Sequence, residues 1–103
     1  EAQRAEDGVR FAVARSVDRL GEAHHLVELV RDRMLPVARD RLLASRAAFE
    51  AGQGSLLELI DAERSLRRAE FEQETAVVTL WRRYIELGRA TADVEALASG
   101  VRP

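Results

Sequence analysis

Apolar and small residues recur along this chain at alternating steps of three and four, in two long runs. The first run is Val9, Val13, Ser16, Leu20, Ala23, Val27, Val30, Met34, Val37, Arg41, Ala44, Ala48. The second is Leu59, Ala62, Leu66, Ala69, Gln73, Ala76, Leu80, Arg83, Leu87, Ala90, Val94, Leu97. A spacing that averages 3.5 residues is a heptad seam, the pattern by which one helix keeps a single stripe against another. The spacing predicts helices over about residues 2–51 and 56–98. Gly8 and Gly21 each weaken the first helix by roughly 1 kcal/mol against alanine.

Between the runs lies Ala51-Gly52-Gln53-Gly54-Ser55-Leu56-Leu57-Glu58, a stop signal followed at once by a start signal. Glycine takes the left-handed conformation past a helix C-terminus without a Cβ clash. Ser55 with Glu58 three residues on has the spacing of a capping box, in which the hydroxyl and the carboxylate each satisfy an orphan amide. The chain is therefore expected to turn at residues 52–55. Folding it there brings the two stripes into phase. Ala48 falls opposite Leu59, Ala44 opposite Ala62, Val37 opposite Ala69 and Val30 opposite Ala76. Further out come Val27 with Leu80, Leu20 with Leu87, Val13 with Val94 and Val9 with Leu97. Large residues face small ones in several layers, which lets helices approach closely. Arg41 and Arg83 intrude, with stems that can lie along the seam while their guanidinium groups reach water. The predicted fold is all-α, a long antiparallel coiled-coil helical hairpin with helices about 60 Å long. Gly100 and Pro103 would close the second helix.

Pro36 interrupts this reading. It removes the bond to the Asp32 carbonyl and clashes with it, so a bend over residues 32–36 is expected. A joint between two helices at Leu35-Pro36 is the other possibility. The heptad phase runs through the proline unchanged in sequence, which favours bent over broken.

Apolar residues remain beyond these seams. The second helix carries Leu57, Ile60, Phe71, Val78, Trp81, Ile85, Gly88 and Ala92, and the first a shorter line of Leu35, Ala38, Leu42, Ser45 and Phe49. A helix with one neighbour needs one stripe, so a second stripe predicts lateral packing against further helices. For this chain by itself the simplest outcome is self-association of hairpins as a dimer, an antiparallel four-helix bundle.

Composition narrows the possibilities. The chain has 103 residues, room for one domain. A third of it is charged and 5% is aromatic, which suits solvated helices better than a large core. The net charge of −2 makes no electrostatic case for nucleic acid. All the basic residues are arginine. With no cysteine, disulfide and thiolate–metal chemistry are excluded. No apolar run approaches the roughly 20 residues of a membrane helix, and no signal peptide is evident. A start at Glu1 rather than methionine is expected of a piece of a longer protein.

No motif of catalysis is present: no phosphate-binding loop, nucleophile elbow or HExxH. An enzyme is not expected, nor a cofactor. His24 and His25 are adjacent, so on a helix they point about 100° apart and cannot chelate one ion as a local pair; no metal site is expected. Glu63 and Arg67 can support each other at i, i+4 on a solvated face, and Trp81 and Tyr84 are expected to pack rather than cage a ligand. Glu58 and Asp61 can be explained by capping and by the positive end of the helix macrodipole.

The run Arg46-Ala47-Ala48-Phe49-Glu50-Ala51-Gly52-Gln53-Gly54-Ser55-Leu56-Leu57-Glu58-Leu59-Ile60-Asp61-Ala62-Glu63-Arg64-Ser65-Leu66 resembles the hairpin tip of TolC-like outer-membrane efflux proteins. That pattern is an aromatic, a short gap, Gly, two variable residues, Ser or Thr, two apolar residues, an acid, two apolar residues, Asp and Ala. Arg31-Asp32-Arg33-Met34-Leu35-Pro36 is similar to the heavy-metal efflux branch, and Ala69 to Gly88 to the returning helix. The resemblance implies a hairpin from the periplasmic α-barrel of a homotrimeric outer-membrane channel in a Gram-negative bacterium, the exit duct of a tripartite pump. By position, Gly52, Gln53, Gly54, Ser55 and Leu56 would meet the periplasmic adaptor, which joins the duct to an inner-membrane pump. Glu58 and Asp61 would line the channel constriction, although the family usually has Asp at the first of these. The two stripes agree with a barrel stave, which has neighbours on both sides.

Two other readings remain. One is a purely structural coiled-coil scaffold or oligomerisation module with no transport role. The other is the hairpin of an adaptor protein, disfavoured because its flanking segments are absent and its tip pattern differs. A signal peptide, a second hairpin and alternating strands of about 10 residues in the parent reading frame would select the efflux duct.

Overall fold

A computed structural model describes residues 2–100, and every regular element among them is helical. Helix α1 spans Ala2–Leu29, a π-helical turn spans Val30–Met34, α2 spans Leu35–Glu50 and α3 spans Leu56–Ala98. The two long predicted helices and the turn between them are therefore present as a helical hairpin, with the first helix divided by the π turn. Gly100 stops α3 with φ of 73° and donates its N–H to the Leu97 carbonyl at 3.2 Å. The second expected stop, Pro103, lies outside the described residues. No described helix is long and apolar enough to cross a membrane.

The described residues divide into two compact parts: Leu26–Val77 around the turn, and residues 2–25 with 78–100. In the turn part, Val30, Leu35 and Ala38 from the first helix pack with Ala69, and Leu66 lies against the cluster. Ala62 and Ala76 are also buried. Alanine at these places lets α3 come close to the larger Val30 and Leu35. In the part built from the chain ends only Ala23 and Ala90 are buried among the described residues. Val9, Val13, Leu20, Leu80, Leu87, Val94 and Leu97 are half-buried. Arg19 and Arg83 both reach Glu86, at 3.8 and 2.9 Å, so Arg83 does lie half-buried with its guanidinium on an acid.

Along α3 the expected seam from Leu59 to Leu97 is buried or half-buried at every position. On the first helix it holds from Val9 to Val30 and then fails. Met34, Val37, Arg41 and Ala44 are exposed, Val37 by 67%, whereas Leu35 is 2% exposed and Ala38, Leu42 and Ser45 are turned inward. The phase is not carried unchanged through Pro36. The π turn is the reason: the Leu35 N–H bonds to the Val30 carbonyl five residues back, where an α-helix uses four. One extra residue is wound in, and the face that follows moves by one position.

This corrects three expectations together. Ala38, not Val37, shares a cluster with Ala69; Ser45 and Leu42, not Ala44, turn inward; and Arg41 leaves the seam to donate to Ser65 Oγ at 3.0 Å. It also shows that Leu35, Ala38, Leu42 and Ser45 are no surplus line on the first helix. They are its seam beyond the proline. Phe49 stays exposed beside half-buried Ala48. The helix does not break at Leu35-Pro36, because Leu29, Met34 and Leu35 all keep right-handed helical dihedrals.

Candidate functional site: the turn and the helix that leaves it

The turn is closed almost entirely by its own backbone. Gly52 donates its N–H to the Phe49 carbonyl at 3.0 Å and Gln53 donates to the Ala48 carbonyl at 2.8 Å. That is the bond pair of a Schellman stop with Gly52 as the left-handed residue, at φ of 73°. The Ala48 carbonyl accepts a second bond, from Gly54 N–H at 3.0 Å. Gly54 is required for a different reason. A Cβ there would lie 3.0 Å from Ala48 Cβ and 3.3 Å from the Ala48 carbonyl carbon and the Phe49 nitrogen. The two glycines thus serve separate demands, one of dihedral angle and one of space.

Ser55 then starts α3 as expected, its Oγ accepting from the Glu58 N–H at 3.1 Å. The return half of the capping box is not made. Among the described residues no bond joins the Glu58 carboxylate to the Ser55 N–H, and the Glu58 side chain is exposed. One orphan amide is satisfied, and the carboxylate is left at the positive end of α3.

These bonds determine what the tip presents. Gly52, Gln53, Ser55 and Leu56 are exposed, Gly54 is half-buried, and Leu57 beside them is exposed by 68%. Glu58 and Asp61 are exposed on the next two turns, with Ala62 beneath them at 0% exposure. The structure brings Gly52, Gln53, Gly54, Ser55 and Leu56 together in one tight turn. It places the two acids on the helix just past it. Among the described residues no cluster of His, Asp or Glu could hold a metal ion.

Three other features lie outside this tip. His24 Nε2 is 3.4 Å from Tyr84 Oη, with the rings edge to face, and Trp81 packs on Tyr84 with ring centroids 6.1 Å apart. Glu63 and Arg67 pair at 3.5 Å. In the π turn, Arg31 donates twice to Asp32, at 2.7 and 3.0 Å. That hydrogen bonding holds the Asp32 carboxyl below its usual range and raises Arg31 in turn.

Sequence reasoning missed a groove of about 400 Å³ next to the π turn, lined by Arg33, Met34, Val37, Arg41, Arg68 and Glu72, among others. Its signal was present as two lines of seam-like residues one position apart beyond a proline. No protein-family model matches the chain, and neither does any curated protein or solved structure.

Proposed function

We propose that this chain is the periplasmic hairpin of a TolC-like outer-membrane efflux protein, one stave of an α-barrel duct. Its helices pair as an antiparallel coiled coil. Gly52, Gln53, Gly54, Ser55 and Leu56 dock a periplasmic adaptor that connects the duct to an inner-membrane pump. In the homotrimeric parent, Glu58 and Asp61 from each copy ring the entrance and concentrate cations there. The observation that carries this reading is the construction of the tip. A turn fixed by its own backbone bonds leaves Gln53, Ser55, Leu56 and Leu57 exposed on a rigid support, and a preorganised apolar tip loses little entropy on docking.

The test uses the full-length parent. Leu56→Asp places a charge on an exposed side chain and removes no bond of the turn. Export and co-purification of the adaptor should be lost while trimers still reach the outer membrane. Normal export by assembled Leu56→Asp trimers would return the chain to the structural-scaffold reading.

The surplus line on α3 supports lateral packing. Phe71, Val78, Trp81 and Ile85 are each at least half exposed, Trp81 by 65%. Burying such side chains contributes roughly 1.5 to 3 kcal/mol each, against the entropy of association. The isolated chain therefore self-associates as a dimer, a four-helix bundle. Sedimentation at tens of micromolar reads this directly: Trp81→Ala should move the particle towards monomer, and a monomer for this chain with Trp81 intact would remove the dimer from the proposal.

A further inference from the structure

From Met34 onward the chain holds two lines, one position apart, that could each face α3. Leu35, Ala38, Leu42 and Ser45 do so; Met34, Val37, Arg41 and Ala44 do not. Both keep the three-four spacing of a seam, and the outward line is the one in phase with Val9 to Val30. The choice between them is made within Val30–Met34, by the Leu35 N–H reaching the Val30 carbonyl. Unwinding that one residue would turn α2 by about 100° about its axis and bring the other line inward.

Pro36 is the second residue of α2, with Leu35 alone between it and the end of the π turn. In an uninterrupted α-helix its ring would press on the Asp32 carbonyl, and its missing N–H would leave that carbonyl without a bond. A wider π turn just before it would ease that contact, so the proline would favour the turn and the turn would select the line. Arg41 acts in the same direction. It lies exposed with a bond to Ser65 Oγ at 3.0 Å, and the other register would lay its stem along the seam and take water from its guanidinium group.

We propose that Pro36, the π turn and Arg41 form a register selector. The segment from Leu35 to Ala48 has a second packing against α3, one residue out of step, in which Met34, Val37 and Ala44 enter the seam. The groove lined by Met34, Val37, Arg41 and Arg68 is the vacancy created by keeping those residues out. It exists in one register and is abolished in the other.

The chain has no cysteine, so introduced pairs are its only thiols. Two pairs report the two registers: Ala38→Cys with Ala69→Cys, and Val37→Cys with Ala69→Cys. Under mild oxidation the 38–69 disulfide should form readily in the chain that keeps Pro36, and 37–69 should stay near background. Pro36→Ala should raise the 37–69 yield, and Pro36→Ala with Arg41→Leu should make it the dominant product. Arg41→Leu alone keeps the proline and reads the same equilibrium, with a several-fold rise in 37–69. A chain with both replacements that still forms only 38–69 overturns the proposal, as does Arg41→Leu alone with 37–69 unchanged. The second arm holds even where Pro36→Ala lowers helicity by circular dichroism.

Discussion

The part around the turn and the part built from the chain ends use the same helices differently. Around the turn, Val30 and Leu35 are fully buried against Ala69, and both local glycines, Gly52 and Gly54, belong to the turn itself. In the other part the buried side chains among the described residues are Ala23 and Ala90. Larger apolar residues there are half-buried, beside the charges of Arg19, Arg83 and Glu86. That part also carries Gly8, Gly21 and Gly88 within its helices, each with open space where a Cβ would go. One seam pattern can thus yield a packed segment or a loosely covered one. The difference lies in which residues are fully enclosed, and in where glycine falls.

The contrast is broken most strongly by Leu35→Ala. Removing a fully buried leucine costs about 2 to 5 kcal/mol, and the loss should appear as a lower denaturant midpoint. Leu20→Ala, at a half-buried seam position of the other part, should cost clearly less; equal losses would show that both parts are packed alike. Next comes Gly54→Ala. Ala48 and the backbone behind it must give way to the new Cβ, at a cost of roughly 1 to 3 kcal/mol. An unchanged midpoint would mean that the turn is slack. Smallest, and opposite in sign, are Gly21→Ala and Gly88→Ala, which should each stabilise by roughly 1 kcal/mol. A fall in melting temperature for either would show that the space beside it is needed.

Much of this fold is legible in the residues, for identifiable reasons. On α3 no proline disturbs the period between Leu59 and Leu97, and the seam lies where the spacing puts it. The turn is legible because Gly52 and Ser55 each meet a local backbone demand with no help from distant residues. The first helix beyond Val30 is not. Heptad counting assumes a constant number of residues per turn, and the π turn violates that assumption by one residue. Pro36 marked the place, and Leu35, Ala38, Leu42 and Ser45 offered the alternative line. Spacing by itself could not choose between lines that differ by one position. The side chains of Glu58 and Asp61 illustrate a second limit. Their types and positions are plain in the sequence, but capping and cation attraction ask for the same residues at the same place.

The position of the turn near the middle of the chain also bears on the order in which the fold assembles. The Arg41–Ser65 contact closes a separation of 24 residues, and His24–Tyr84 one of 60. Loop-closure entropy grows with the logarithm of that separation, so the second contact costs about 0.8 kcal/mol more if formed first. It also has less apolar burial nearby to offset that cost. Assembly that starts at Gly52–Ser55 and zips towards the ends would avoid that cost, each added layer lying only a few residues beyond the last. Folding-rate effects should be large for Leu35→Ala and small for Leu20→Ala, whose loss would appear mainly as faster unfolding. A turn that needs no outside help would thereby bring the two helices together before the π turn at Val30–Met34 sets which line of α2 faces α3.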